Sequence, residues 1–279
     1  MMKLSHESKV RLGVGIGAFV LIIGLVFGAS RLLAHSDMVR TTGILSGHLS
    51  DFDDMFDDDD LLDSGKYSAQ PQQLSSATFD ADEFRYLDFD IDAATVDVKV
   101  VDGNKARVIE RGRVANGMDA SKAATQNIAS VEDSTLKVSQ FGSDDGKAID
   151  RSVTVELPRR VAEHLKGVNA HVGSGDLQIA GVTCDGFDLF LGAGDVEFAG
   201  SVTDALSAEV GSGDVEMTVP NSTGFKASLT LGSGDFESDF LPLGYDGETI
   251  LNLEFDNGDK SATYRFEVGS GDMSFDSEY

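Results

Sequence analysis

Cysteine is nearly absent from this sequence: Cys184 stands alone among 279 residues. That excludes an intramolecular disulfide framework and any multi-cysteine zinc site. Tryptophan is missing, and proline occurs four times against 31 glycines, so the chain is rich in tight turns and has little material for large aromatic pockets. Basic side chains are also scarce. Twenty-two Lys and Arg face 48 Asp and Glu, a formal charge of −26. A nucleic-acid binder needs a basic face to displace counterions, and here the field has the wrong sign. What remains is 41% hydrophobic, enough for a core and too much for global disorder.

The charge is unevenly spread. Residues 1–40 carry five basic and two acidic side chains, whereas residues 41–279 carry 17 and 46. Between Arg11 and Arg31 runs LGVGIGAFVLIIGLVFGAS, without a charge. As a helix this segment reaches about 28 Å, roughly one hydrocarbon thickness. A transmembrane helix is expected over 12–33, with a cytoplasmic N-terminus at 1–11, because Lys3, Lys9 and Arg11 precede it against Glu7 alone. The rest of the chain then lies outside a bacterial cell membrane. A cleaved signal peptide is the competing reading, disfavoured by the length of the run and by Phe27 and Arg31 at the cut. The spacings Gly13-x-x-x-Gly17 and Gly24-x-x-x-Gly28 would permit close approach of two such helices.

Residues 34–78 show no sustained period and include DFDDMFDDDDLLD at 51–63, with eight aspartates. Self-repulsion predicts an extended acidic tether. A segment that orders on a cation or partner, anchored by Phe52 and Phe56, is the alternative.

The domain from 79 to 279 is defined by a repeat. Gly-(Ser/Ala)-Gly-Asp occurs at 173–176, 192–195, 211–214, 232–235 and 269–272, so the first four copies step by 19, 19 and 21 residues. Apolar residues stand at every second place before each copy, as in Val168, Ala170, Val172 and Leu206, Ala208, Val210, and resume after it, as in Val196, Phe198 and Val215, Met217. Period two means a strand with one buried face. Each unit therefore reads strand, corner, strand, loop. The glycine pairs Gly173/Gly175, Gly192/Gly194, Gly211/Gly213, Gly232/Gly234 and Gly269/Gly271 are expected to supply positive φ at the corner. The Asp that follows each pair is expected to accept backbone N–H bonds in an Asx-type turn.

One such unit cannot bury its own apolar face, and stacking predicts an all-β solenoid of roughly 19-residue turns, resembling a parallel β-helix. An antiparallel sandwich or meander with the same corners as hairpins is the alternative. Upstream, Leu87, Phe89 and Ile91, the corner Asp92-Ala93-Ala94-Thr95, then Val96, Val98 and Val100 align with the 168–179 segment, residue for residue. Further strands are expected at 106–114, 134–141 and 151–158, with a short helix within Met118 to Ala129. Asp256-Asn257-Gly258-Asp259 predicts a C-terminal hairpin that caps the last turn.

The N-terminal anchor, alternating strands and five GSGD-like corners resemble the bacterial domain-of-unknown-function family with β-strand repeats labelled "putative adhesin", over about residues 85–276. The resemblance implies an exported or membrane-anchored envelope protein without established catalysis, often accompanying envelope-stress or regulatory systems. The 93–95 corner and the acidic tether depart from that pattern.

Catalysis needs a nucleophile, a base and a charge stabiliser together, and no such constellation is legible. His171 falls on an outward strand position, and Cys184 sits in GVTCDG, read as a loop with a small exposed or half-buried thiol. GSGD lacks the Lys-Ser/Thr of a phosphate loop and is no dinucleotide fingerprint. If the corners stack, Asp176, Asp195, Asp214 and Asp235 form a column about one strand spacing apart, whose repulsion raises pKa values or recruits a cation, calcium by its oxygen preference. No other cofactor is implied. The expected function is a non-catalytic envelope interaction or adhesin-like module that meets the membrane through its helix and a wall polymer or envelope protein through its face. The alternative is an envelope sensor signalling through the anchor. A glycan hydrolase would need two carboxyls across a cleft, for which nothing in the sequence speaks.

Overall fold

Side chains that alternate in and out at every residue pair can be buried together only if two layers of strand face each other, and the chain builds such layers by stacking. The computed structural model describes residues 65–140, 146–241 and 252–278. Among the described residues sixteen strands form one continuous sheet folded into two facing rows. They are β1 (Gln72–Asp80), β2 (Tyr86–Ile91), β3 (Thr95–Val101), β4 (Lys105–Val114), β5 (Ala129–Glu132), β6 (Thr135–Gln140), β7 (Ala148–Pro158) and β8 (Leu165–Val172). After these come β9 (Asp176–Leu191), β10 (Asp195–Val210), β11 (Asp214–Pro220), β12 (Phe225–Leu231), β13 (Phe236–Glu237), β14 (Asn252–Asn257), β15 (Ala262–Val268) and β16 (Met273–Glu278).

The first row runs β5, β6, β2, β8, the second half of β9, the second half of β10, β15, β12, β14. The other runs β1, β4, β7, β3, the first halves of β9 and β10, then β11, β16 and β13. From β6 to β12 in one row and from β7 to β13 in the other every neighbour is parallel, which makes the fold β-solenoid-like. The upstream unit pairs as its sequence aligns: Leu87 lies beside Val168 and Val96 beside Leu177.

Chain order and stacking order part company at both ends. The unit made of β6 and β7 follows β2 and β3 in sequence yet stacks outside them. The unit of β15 and β16 slots between β10/β11 and β12/β13. The expected terminal hairpin is therefore replaced by another arrangement: β14 and β15 flank β12 on opposite sides and do not pair with each other. The capping role falls to antiparallel strands, β14 on β12, β5 on β6, and β4 with β1 on β7, which meet the exposed edges of the parallel stack.

Between the rows lies a continuous apolar core including Leu87, Phe89, Val96, Ile179, Leu189, Phe198, Val210 and Met217. Each fully buried large side chain contributes about 1.5 to 3 kcal/mol. Phe225, Phe236, Phe255, Tyr264, Phe266 and Phe275 pack ring against ring, with Phe225 on Tyr264 at 4.8 Å. Beside this core, Glu110 on β4 is fully buried. It pairs with Arg151 at 2.8 Å and accepts from the hydroxyls of Ser75 and Thr125 and from the Thr125 N–H. This network fastens the segment after β4, where the expected helix is reduced to one 3₁₀ turn at Ala120–Lys122.

The first strand begins at Gln72, and Tyr67 bridges Ala115, so strand structure starts ahead of the expected boundary at 79. Among the described residues no helix is long and apolar enough to cross a membrane. The expected anchor at 12–33, and the tether as far as residue 64, lie outside the described residues.

Candidate functional site

The repeated corners form one column. Gly192 and Ala193 donate their N–H groups to Val172 and Gly173, Gly211 and Ser212 to Leu191 and Gly192, Gly269 and Ser270 to Val210 and Gly211, and Gly232 and Ser233 to Val268 and Gly269, all at 2.7 to 2.8 Å. Vertical bonding of this kind sets the carbonyl of one corner where a Cβ of the next would stand. An added Cβ at Gly194, Gly213, Gly234 or Gly271 would come within 3.0 Å of the carbonyl oxygen of the corner stacked against it, as would one at Gly192, Gly211, Gly232 or Gly269. None of these glycines, nor Gly173 or Gly175, has positive φ, so the expected torsional reason is replaced by a steric one. Gly173, at 3.3 Å from Asp92 O, is the loosest, and Ala94 is accommodated at that end of the column.

The aspartates are ordered by the stack as well. Thr95 donates its hydroxyl to Asp176 at 3.2 Å, Asp195 lies beside Asp214, whose N–H goes to Gly194 O, Asp272 donates its N–H to the Asp214 carboxylate, and Asp235 its N–H to Asp272 at 2.9 Å. The column thus reads Asp176, Asp195, Asp214, Asp272, Asp235. The carboxylates of Asp214 and Asp272 serve the neighbouring corner, where an Asx-type turn within their own corner was expected. Burial, and then the charges of Asp176 and Asp214, raise the Asp195 carboxyl above its ordinary value. Burial and Glu197 do the same for Glu216 on the outward side of β11. Among the described residues no three His, Cys, Asp or Glu side chains are disposed to hold a metal ion.

The other expected candidates separate. Cys184 lies within β9, not in a loop, and is buried. That burial, with Asp185 adding to it, pushes its thiol up to about 12. His171 is exposed on β8, as expected, and stacks on Phe190 of the next strand at 4.7 Å and 9°.

Sequence reasoning did not single out the outward surface of the first row. Tyr86 and Phe190, 45% and 40% exposed, are the large apolar side chains left open among the described residues. Tyr86, Gly167, Gly186 and Ala205 occupy one cross-strand line, and above it opens a trough of about 540 Å³ bordered by Asp88, Asn169, Asp188 and Ser207. Asn169 donates to Asp88 at 2.7 Å. The available signal was the wrong residue type at outward positions: Phe190 between inward Leu189 and Leu191, and glycine at 167 and 186 inside strands.

Parallel units bonded corner to corner, closed by antiparallel strands and exposing a polar face with two open aromatics, define a repeat scaffold in which the repeat supplies the surface. The Toastrack DUF4097 family model matches residues 88–277, and the chain belongs to that family. Among solved structures it is similar to a "putative cell adhesion protein" from Clostridium sporogenes, with 14% identity, 75% of this chain and 100% of that chain covered, and a TM-score of 0.48. It is also similar to a "putative adhesin" from Bacteroides fragilis, with 15% identity, 75% and 98% covered, and a TM-score of 0.36. A third is a "putative lipid binding protein" from Parabacteroides distasonis, with 13% identity, 75% and 98% covered, and a TM-score of 0.33. No curated protein matches.

Proposed function

We propose that this protein is a non-catalytic, adhesin-like interaction module of the bacterial envelope, held outside the cell by its N-terminal helix and acidic tether. The observation that carries this reading is the outward surface of the first row, where Tyr86 and Phe190 stand open on a rigid, hydrogen-bonded platform. Exposed aromatics on a fixed strand surface are the residues that anchor partners. The groups that would argue for catalysis are otherwise engaged, since the Cys184 thiol is buried and protonated at neutral pH and the exposed His171 stacks on Phe190 within that surface. The uncharged run at 12–30 and the charge contrast across it support display through a membrane.

Protease applied to intact cells tests the topology. Release of the repeat domain from whole cells is expected, and cleavage confined to inverted vesicles would refute it.

A further inference from the structure

We propose that the outward surface of β2, β8 and β9 is a binding site for an amino-sugar glycan, with the sugar rings on Tyr86 and Phe190 and the free amines on Asp88 and Asp188. The inference rests on the interaction-module reading above and names the ligand of that same surface.

Three cross-strand lines make the site. Along the first, Tyr86 faces Gly167 and Gly186, then Ala205, so the backbone beside the ring is bare. The ring lies against Gly167, where an added Cβ would be 3.1 Å from Tyr86 Cδ1. The resulting trough, about 540 Å³, is of a size that holds small ligands. The second line is Lys137, Asp88, Asn169, Asp188 and Ser207, a row of hydrogen-bonding groups about 7 Å along the strands from the first, in which Lys137 is turned to Glu132 at 3.0 Å. On the third line His171 and Phe190 form a flat stacked pair between Asp90 and Glu209.

Aromatic, polar and aromatic lines in succession suit a ligand that is apolar on its ring faces and polar on its edges. A pyranose chain has that character: its C–H faces lie on aromatic rings while hydroxyl and amino groups point sideways to carboxylates and amides. Charge selects among such chains. Residues 167–279 carry 21 acidic and three basic side chains, against 17 and 14 over residues 65–166. The field on the β9 and β10 side of the surface therefore repels phosphate- or uronate-bearing polymers and attracts amines.

The test is titration of the full chain in detergent micelles with a glucosamine hexamer, an N-acetylglucosamine hexamer and hexalysine, followed by calorimetry. The free-amine sugar is expected to bind, the acetylated sugar about tenfold more weakly, and hexalysine without dependence on Tyr86. Tyr86→Ala and Phe190→Ala should each weaken the glucosamine hexamer about tenfold, the loss of one ring contact to a cation-bearing ligand. Tyr86→Phe should keep the affinity, which separates a lost ring from a disturbed fold. No heat with the glucosamine hexamer at millimolar concentration, or hexalysine binding that falls with Tyr86→Ala as the sugar does, would overturn the site. Sugar binding with failed release from intact cells would instead refute the display reading and leave the site standing.

Discussion

The carboxylate of Asp214 accepts the backbone N–H of Asp272, a residue 58 places further along the chain, and Asp272 in turn accepts from Asp235. The fifth copy of the corner therefore lies between the third and the fourth. Serines at the corners give this order a direct readout. Ser270 bonds to Gly211 and Ser233 to Gly269, so each is one strand spacing from its neighbour in the column. Adjacent strands fall within disulfide reach and next-nearest ones do not. The pair Ser212→Cys and Ser270→Cys is expected to oxidise to a disulfide, as is Ser270→Cys with Ser233→Cys. Ser212→Cys with Ser233→Cys should stay reduced; its cross-linking in non-reducing electrophoresis would refute the order.

The corner glycines fail for steric reasons. Gly194→Ala should cost about 3 kcal/mol because the new methyl meets the Gly175 carbonyl. Gly194→Asn should be no better, since tolerance of left-handed torsions is irrelevant there. At Gly117, with φ of +82° and nothing within 4 Å, Ala should cost only about 1 kcal/mol. Urea unfolding distinguishes the two; equal penalties at both positions would contradict the stacking argument.

Like charges stacked at one spacing weigh on the column. The Asp195 carboxyl is raised by burial and then by Asp176 and Asp214, so its ionised form is disfavoured in the fold. For an acid with a raised folded value the stabilisation is present at low pH and lost as pH rises through that value. Asp195→Asn, which removes the charge and keeps the shape, is expected to stabilise at pH 7 by about 0.5 kcal/mol, the scale of a like-charge cross-strand pair. The gain should vanish near pH 3. Thermal melts at the two pH values check both parts.

Alkali should unfold the domain through two buried acids. The Cys184 thiol is pushed from 9.0 up to about 12 by burial, and Tyr264, which donates to Val202 O at 2.6 Å, is raised by burial and then by the Cys184 charge. Both are neutral in the fold, so stability is retained below pH 9 and falls as pH climbs towards 12. At pH 8 the thiol should resist a disulfide reagent in the native protein and react within minutes in urea. Rapid native labelling would show the strand position to be wrong.

Breaking the buried pair at the other end of the stack has a larger effect. Glu110 is 0% exposed and the Arg151 side chain 6%, and Arg151 also donates to Ala123 O. Arg151→Met leaves a buried carboxylate and should cost about 3 to 5 kcal/mol. The double change with Glu110→Leu should cost less than Arg151→Met alone, as measured in a double-mutant cycle.

The middle of the fold was legible because period two and a 19-residue step each fix one thing, the buried face and the stacking register. Val196 beside Leu177 and Val215 beside Val196 follow directly. The ends were not legible in this way. Tyr264, Phe266 and Val268 carry the same inward pattern as Ala227, Leu229 and Leu231, so alternation cannot say which unit stacks first. The Asn257-Gly258 signal did mark a turn, with Gly258 at φ +56°, but β12 takes the place between the strands it joins. Glycine was recognised and its reason misassigned, because a clash between residues 19 apart leaves no local trace. Tyr86 and Phe190 escaped notice since a single apolar residue at a wet position is ordinary until its bare neighbours are known.

The slot taken by β15 and β16 has a consequence for synthesis. The solenoid neighbours of β12 and β13 are the strands made last, so the fourth GSGD copy emerges from the ribosome with no completed rung to settle on. Vectorial growth by one unit after another therefore halts at β11. Trimming the chain from its C-terminus would remove an interior layer and strand the one beyond it, which makes this domain indivisible where simple repeat arrays can be shortened.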